Sequence, residues 1–176
     1  MDVMVLIDSF KGSMTSMEAG NAARDGVLRV YPHANVTVRP LADGGEGTTD
    51  ALIEGLGGRK VELSVTGPMG SRVKAYYGIL ADEKTAVMEM AQAAGITLVE
   101  EAQRNPGKAT TYGVGEMIRD AVSRGCRKFI IGIGGSATND GGIGMLQALG
   151  FGLLDAEGKQ VPFGAVGLES LTAITA

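Results

Sequence analysis

Short apolar segments of strand length alternate with helical segments along this chain. The first, residues 2–8, is an unbroken aliphatic run between two acids, and the helical pattern behind it must end at Pro32. Apolar runs at 35–41 and 128–133 are followed by helices in the same way. This alternation predicts an α/β fold with a largely parallel open sheet and helices on both faces, Rossmann-like or flavodoxin-like. An all-apolar first strand is typical of burial on both faces.

The stretch from about residue 59 to residue 90 follows a different pattern. Val61, Leu63 and Val65 alternate with polar residues, a glycine- and proline-containing turn follows, and two more strand-like runs cover 73–80 and 85–90. We therefore expect a small antiparallel β insertion inside the α/β unit.

Composition excludes several classes of protein. The 176 residues carry a net charge of −4, four Phe, four Tyr and no Trp, which argues against nucleic-acid binding. One Cys excludes an internal disulfide, and one His excludes a multi-histidine metal site. No aliphatic run is long enough to cross a bilayer, and the first residues lack the positive charge of a secretory signal. We expect a cytoplasmic protein that has no membrane partner.

Three polar, glycine-bearing loops each follow a predicted strand. They cover residues 9–13, 42–47 and 134–142. Ligands of open α/β sheets bind beyond the carboxyl ends of the strands, so these loops are expected to share one edge and one site.

The loop at 134–142 has the strongest chemical pattern. Gly134 and Gly135 allow backbone N–H groups to approach an anion, and Ser136, Thr138 and Asn139 add side-chain donors. The pattern predicts a site for phosphate or substrate. The alternative is a purely structural turn between a strand and a helix.

The other two loops carry charged side chains. Asp43 and Glu46 could bind Mg²⁺ or orient a hydroxyl group, although solvated loop acids are an equal alternative. Lys11 could neutralise the oxygens of a transferred phosphoryl group. Arg72 and Arg104 could each hold a substrate carboxylate.

A dinucleotide-binding fingerprint is a competing interpretation. Residues 132–137 fit GxGxxA after a strand, and Asp155 lies near the expected distance behind them. In such a site the helix begins by the second glycine, yet residues 138–142 are poor helix formers. A nicotinamide-dependent dehydrogenase domain therefore remains an alternative.

Six segments together resemble the bacterial glycerate kinase family. They are Asp8–Ser13, Leu41–Thr48, Val65–Pro68, Arg104–Pro106, Thr110–Glu116 and Gly132–Gly142. The resemblance runs in order from residue 1 to about residue 172. It implies phosphorylation of D-glycerate by ATP and Mg²⁺, with 2-phosphoglycerate as the expected product, in a cleft between two α/β domains.

The resemblance also assigns roles to residues. Lys11, Asp43 and Asp140 are expected to be catalytic, and Glu46 is expected to bind the metal. The residues expected to bind substrate or phosphate are Asp8, Ser9, Gly44, Gly45, Thr48, Gly134, Gly135, Ser136, Thr138 and Asn139.

Length is the main departure from this family. Its members are about twice as long, so residues 1–176 resemble an N-terminal α/β portion without the second domain. We expect weak or no turnover from such a portion, with a chain equivalent to the C-terminal half, or a second copy, as a partner. A non-catalytic fragment that binds phosphate or another small anion is the other alternative.

Overall fold

The computed structural model describes residues 1–10, 13–41 and 43–176. The strands are β1 (Asp2–Ile7), β2 (Asn35–Pro40), β3 (Gly58–Thr66), β4 (Arg72–Leu80), β5 (Thr85–Glu89), β6 (Lys128–Gly132), β7 (Gly152–Leu154) and β8 (Ala173–Thr175). The α-helices are α1 (Ser16–Val30), α2 (Thr48–Leu56), α3 (Ala91–Ala94), α4 (Tyr112–Ser123) and α5 (Ile143–Leu149). Short 3₁₀ helices cover Ile96–Leu98, Glu101–Gln103 and Ala165–Glu169.

The first βαβ unit pairs β1 with β2 in parallel, from Asp2 opposite Asn35 to Ile7 opposite Pro40. Helix α1 connects the two strands and begins with a capping box. Thr15 accepts a hydrogen bond from the Glu18 N–H, and the Glu18 carboxylate accepts one from the Thr15 N–H. These hydrogen bonds lower the pKa of Glu18. Thr15 and Glu18 are three residues apart, the spacing from which a capping box can be predicted.

A four-stranded sheet in the order β3-β4-β5-β6 forms the centre of the chain. Its first two pairs are antiparallel and the β5–β6 pair is parallel. Helices pack on both faces of this sheet. The Tyr77 hydroxyl donates to Asp120 of α4 at 2.6 Å, whereas a Cβ on the neighbouring Gly78 would meet Ile53 of α2 on the other face.

The predicted α/β class is confirmed, including the parallel strand pairs, the helices on both faces and the antiparallel segment. The parallel pairs β1–β2 and β5–β6 belong to separate sheets in the described part of the chain. The antiparallel strands continue directly into β6, so they are an integral part of the central sheet.

The main hydrophobic core lies between the central sheet and α3 and α4. Tyr77, Met88 and Met117 are fully buried there. A smaller cluster of Ile143, Leu153 and Val161 packs α5 against the C-terminal segment. Within the described ranges, no helix combines the length and apolar character needed to span a membrane.

One prediction about the first strand is wrong. Burial on both faces was expected, but Met4 and Leu6 are 65 % and 53 % exposed. The reason is that α1 covers one face of β1, and no other described segment covers the opposite face.

Candidate active site

The loops at 43–47 and 132–136 meet through their backbones. The Gly134 N–H donates to the Gly44 carbonyl oxygen at 3.0 Å. A Cβ on Gly132 would lie 2.5 Å from that same carbonyl oxygen, and one on Gly134 would lie 2.8 Å from the Cα of Gly45. The close approach therefore requires glycine at 132 and 134. It places the acid-bearing loop directly against the glycine-rich loop, as the sequence predicted.

Hydrogen bonds within the loop fix the shape of residues 43–47. The Asp43 carboxylate accepts from the Gly45 N–H at 2.7 Å, and the Thr48 hydroxyl accepts from the Gly44 N–H at 3.2 Å. Gly47, with φ of 89°, leads into α2. Asp43 and Glu46 are both exposed. Thr48 is buried, and its hydroxyl holds the Gly44 N–H from within the loop.

The glycine-rich loop also contacts the segment after α3. The Ile96 N–H donates to the Gly135 carbonyl at 2.9 Å, and the Ala137 N–H donates to the Ala94 carbonyl at 2.8 Å. The Ser136 and Thr138 hydroxyls lie 2.8 Å apart, and the Thr138 N–H donates to the Ser136 hydroxyl. These contacts hold the loop in place before any ligand binds.

The backbone donors of this loop divide into two groups. The N–H groups of Gly134 and Thr138 already donate within the protein, so the expected use of the Gly134 N–H on a phosphate is not compatible with this geometry. The N–H groups of Gly135 and Ser136 have no acceptor among the described residues. Gly135 and the side chain of Asn139 are exposed. Gly135, Ser136 and Asn139 therefore each carry a donor that no described residue engages.

Asp140 lies in the interior and holds the starts of two helices. It is 1 % exposed. One carboxylate oxygen accepts from the N–H and hydroxyl of Thr111 and from the Gly144 N–H, and the other accepts from the Gly142 N–H. Both oxygens are thus engaged at the N-termini of α4 and α5, where a negative charge is favourable. This arrangement favours a positioning role for Asp140 over the predicted catalytic contact.

The loop after β1 contributes to a cavity of about 490 Å³. Asp8 accepts from the Ser9 N–H at 2.7 Å, and Ser9 lines the cavity together with Glu46 at the start of α2. Glu18, Asp50 and Glu54 line it as well, so the lining that the described residues contribute is anionic. Lys11 lies outside the described residues. An anionic cavity attracts cations and requires one before a phosphate can enter.

The two arginines proposed for a substrate carboxylate differ in their surroundings. Arg72 forms an ion pair with Glu116 at 2.9 Å and also contacts Thr66. Burial raises the pKa of Glu116, but hydrogen bonds from Thr66 and Arg72 outweigh it, so this pKa is lowered. The Arg72 guanidinium is therefore already engaged within the protein and is a poorer candidate for a substrate carboxylate. Arg104 lines a cavity of about 260 Å³ together with Ser136 and Thr138, so it remains a candidate.

Glu89 is a buried carboxylate that the sequence analysis missed. It ends β5, is 2 % exposed and accepts from the Thr49 N–H at 2.8 Å. The first turn of α2 is thereby held by a residue 40 positions away, because its N-cap, Gly47, has no side chain for that purpose. A single acid at the end of the apolar run 85–89 was the signal that could have identified it.

Metal binding can be judged from the donor chemistry. No group of three or more His, Cys, Asp or Glu side chains that could hold a metal ion exists within the described ranges. Magnesium is commonly bound by one or two carboxylates together with substrate phosphates, so Glu46 at the anionic cavity fits such a partial site.

The dinucleotide alternative is not supported by the helix boundary. A fingerprint glycine at 134 requires a helix to begin there, but α5 begins at Ile143 and residues 134–142 form a loop.

Comparison with known proteins assigns the chain to a family. The sequence model of the Glycerate kinase family matches residues 3–176. The chain belongs to this family. It is 47 % identical over 174 residues to a glycerate kinase of Haemophilus influenzae and 45 % identical over 174 residues to a glycerate 2-kinase of Escherichia coli K12.

A solved relative agrees with these sequence matches. A crystal structure of a proposed glycerate kinase 2 from Salmonella typhimurium LT2 is 48 % identical, with a TM-score of 0.87 over 99 % of this chain. The match covers 47 % of the Salmonella chain, and the Haemophilus and Escherichia matches cover 46 % of those proteins. The chain thus spans about half the length of its relatives.

Gly132→Ala tests whether the two loops depend on their close approach. The added Cβ would meet the Gly44 carbonyl, so we expect a loss of about 1–3 kcal/mol in the free energy of unfolding. The amide resonances of Gly44 and Gly134 should also shift in ¹H–¹⁵N NMR spectra. Urea denaturation measures the stability.

The control for this variant is Gly26→Ala, within α1. A Cβ there meets nothing within 4 Å, so the change should raise stability by about 0.5–1 kcal/mol. Equal effects of the two substitutions on stability, with unchanged Gly44 and Gly134 resonances, would contradict the close backbone contact between the two loops.

Proposed function

We propose that this chain forms the N-terminal α/β portion of an ATP-dependent kinase of D-glycerate, with 2-phosphoglycerate as the product. The proposal rests on the backbone hydrogen bond that joins the acidic loop to the glycine-rich loop. The Gly134 N–H donates to the Gly44 carbonyl in a member of the glycerate kinase family. The free thiol of Cys126 is compatible with the reducing cytoplasm, where we place the reaction.

The glycine-rich loop supplies donors for an anion. The N–H groups of Gly135 and Ser136 and the side chain of Asn139 are available to phosphate or glycerate oxygens. Arg104 borders the same loop in the smaller cavity and can pair with the glycerate carboxylate. This division leaves the 2-hydroxyl of glycerate, which accepts the phosphoryl group, to face the acidic loop.

The acidic loop supplies the groups for transfer. Asp43 is exposed and orients the glycerate hydroxyl. In the transfer, the hydroxyl oxygen forms a bond to the γ-phosphorus of ATP, the bond to the bridging oxygen of ADP breaks, and the hydroxyl proton passes to the Asp43 carboxylate. Glu46, together with phosphate oxygens, would hold Mg²⁺, which neutralises charge on the phosphates.

The remaining length of the family members is needed for full activity. Phosphoryl transfer depends on positioning and on electrostatic stabilisation in a cleft that excludes water. The cavity next to Glu46 is open to solvent along the exposed side chain of Phe10. We therefore expect the 176-residue chain alone to bind ligands but to turn over slowly or not at all.

A coupled ADP-release assay tests this function. In the presence of ATP and Mg²⁺, ADP formation should depend on D-glycerate when the chain is supplied with the part of the Salmonella relative that lies outside the match. Asp43→Asn should reduce the rate by about 10²–10⁴-fold, because a positioned base is lost. Asp25→Asn, on the exposed face of α1, is the matched control and should leave the rate unchanged.

A non-catalytic anion-binding fragment is the second candidate. It is favoured by the cavity that Arg104 shares with Ser136 and Thr138, since that cavity does not involve the acidic loop. Calorimetry with D-glycerate and inorganic phosphate distinguishes the two. Binding that Arg104→Ala abolishes, with no glycerate-dependent ADP release from the completed enzyme, would favour this candidate over the kinase.

A further inference from the structure

Glu89 ends β5 at the edge of the central sheet where the acidic and glycine-rich loops meet. Its register partner on β6 is Gly132, and the N–H of the next residue, Met90, donates to the Gly132 carbonyl at 2.9 Å. A Cβ on Gly132 would lie 2.5 Å from the Gly44 carbonyl of the acidic loop. Glu89 is therefore one strand away from the backbone contact between the two loops.

The Glu89 carboxylate is buried with little compensation from its surroundings. The residue is 2 % exposed. In the described part of the chain its carboxylate accepts one hydrogen bond, from the Thr49 N–H at 2.8 Å, and forms no ion pair with a basic side chain. Buried charges are normally paired or bound by several donors, because desolvation of a lone charge is costly. The chain therefore keeps a costly acid at the first turn of α2, where a serine or asparagine N-cap would satisfy the same N–H at a lower cost.

A local cap would not attach α2 to the central sheet. Gly47, the N-cap of α2, has φ of 89°, which favours glycine and leaves no side chain to cap the helix. Glu89 reaches the same turn from β5, across 40 positions of sequence. An N-cap side chain would fix the first turn of α2 to its own loop. Glu89 instead fixes that turn to the strand that pairs with β6, from which the glycine-rich loop emerges.

The turn that Glu89 holds is continuous with the acidic loop. The Gly44 N–H donates to the Thr48 hydroxyl at 3.2 Å, and the Thr48 N–H donates to the Gly45 carbonyl at 3.3 Å. A displacement of the neighbouring Thr49 would therefore move the loop that carries Asp43.

We propose that Glu89 is a positioning residue for phosphoryl transfer. Through the Thr49 N–H it fixes the acidic loop, which orients the acceptor hydroxyl, relative to the glycine-rich loop, which binds the anion. This inference rests on the proposed function and deepens it, because it names a residue outside both loops on which their relative geometry depends. A misplacement of about 1 Å at a reacting group can lower a rate by about 10²-fold. Loss of Glu89 should therefore lower kcat and leave KM nearly unchanged.

Three substitutions at position 89 test this role in the chain completed with the part of the Salmonella relative that lies outside the match. Glu89→Ala removes the acceptor, Glu89→Asp shortens the side chain by one methylene, and Glu89→Gln keeps an acceptor oxygen of the same reach without the charge. We expect kcat to fall by about 10²-fold for Glu89→Ala and by about tenfold for Glu89→Asp, with the KM for D-glycerate within about threefold. Glu89→Gln should keep kcat within about threefold of the wild-type value, because the Thr49 N–H retains an acceptor.

Thr85→Val is the matched control. Thr85 begins β5, is 8 % exposed, and donates from its hydroxyl to Asp82 at 2.6 Å, so this substitution also removes a hydrogen bond from a buried residue of the same strand. The two positions are about 13 Å apart along the strand. The kcat of Thr85→Val should stay within about twofold of the wild-type value. All rates are normalised to the folded fraction from urea denaturation.

Amide resonances of the 176-residue chain test the geometric step without turnover. In ¹H–¹⁵N NMR spectra, Glu89→Ala should shift the resonances of Gly44, Gly45 and Thr49. Thr85→Val should leave the Gly44 and Gly45 resonances unchanged.

Four results would overturn the inference. A kcat of folded Glu89→Ala within about threefold of the wild-type value would limit Glu89 to stabilising the fold. Equal losses for Glu89→Gln and Glu89→Ala would mean that the charge itself takes part in the reaction. An equal loss for Thr85→Val would assign the effect to general disturbance of β5. Unchanged Gly44 and Gly45 resonances in Glu89→Ala would show that the acidic loop does not depend on Glu89.

Failure of the proposed function gives a different result. It would appear as absence of glycerate-dependent ADP release from the wild-type completed enzyme. The Gly44 and Gly45 resonances would then still decide whether Glu89 holds the acidic loop in place.

Discussion

Asp140→Ala is expected to lower the free energy of unfolding by about 3–5 kcal/mol, the largest stability effect that we predict. The substitution removes four hydrogen bonds, from Thr111, Gly142 and Gly144, and leaves their donors unsatisfied at the starts of α4 and α5. The melting temperature should fall by roughly 6–20 °C in a chain of this length. Urea denaturation and calorimetry measure both quantities.

The control is Asp25→Ala, which removes an exposed carboxylate from α1. Its side chain is 58 % exposed and, among the described residues, pairs with the neighbouring Arg24, so we expect a change within about 0.5 kcal/mol. A change below about 1 kcal/mol for Asp140→Ala, combined with lost turnover in the completed enzyme, would contradict the positioning role. That outcome would return Asp140 to the catalytic role expected from the resemblance.

Local elements of the fold could be predicted from the sequence. The bounds of α5, Ile143–Leu149, and of α2, Thr48–Leu56, can be predicted from the sequence because glycines flank both segments. The Thr15 capping box was also predictable, because its two partners are three residues apart. In these cases the physics is local, and spacing alone identifies the partners.

Contacts between distant residues could not be predicted in this way. Glu89 holds the Thr49 N–H across 40 positions, and Asp140 reaches Thr111 across 29. Both acids lie in segments where a solvated or catalytic carboxylate is equally compatible with the sequence. Only packing determines which acids turn inward, since a buried carboxylate must find several donors in three dimensions.

Strand β1 shows a different limitation. The aliphatic run at 2–8 predicts burial on both faces, but Met4 and Leu6 are exposed on one of them. An unbroken apolar run therefore identifies a strand without determining which of its faces is covered. The convergence of the acidic and glycine-rich loops was predictable, because both follow strands. The internal pairing of the Gly134 N–H was not, because it depends on the Gly44 carbonyl.

Lys11→Ala is expected to have the largest effect on turnover. An anionic cavity lined by Glu18, Glu46 and Asp50 would repel the phosphates of ATP unless cations balance it. Ser9 and Ser13, on either side of Lys11 in sequence, both line this cavity. A lysine between them is suited to neutralise charge that develops on the transferred phosphoryl group. Loss of such a group lowers kcat by about 10²–10³-fold.

The measurement is steady-state ADP release from the chain completed with the remaining part of the Salmonella relative. The KM for D-glycerate should stay within about threefold, because Lys11 acts on the phosphoryl group in the transition state. Lys159→Ala is the control, since that side chain is 74 % exposed and its ion pair in the described part of the chain is with Glu157. An unchanged kcat would remove Lys11 from the mechanism, and a rise in KM alone would make it a ground-state binding residue. A selective fall in kcat would indicate that Lys11 acts on the phosphoryl group during transfer and not on the binding of D-glycerate.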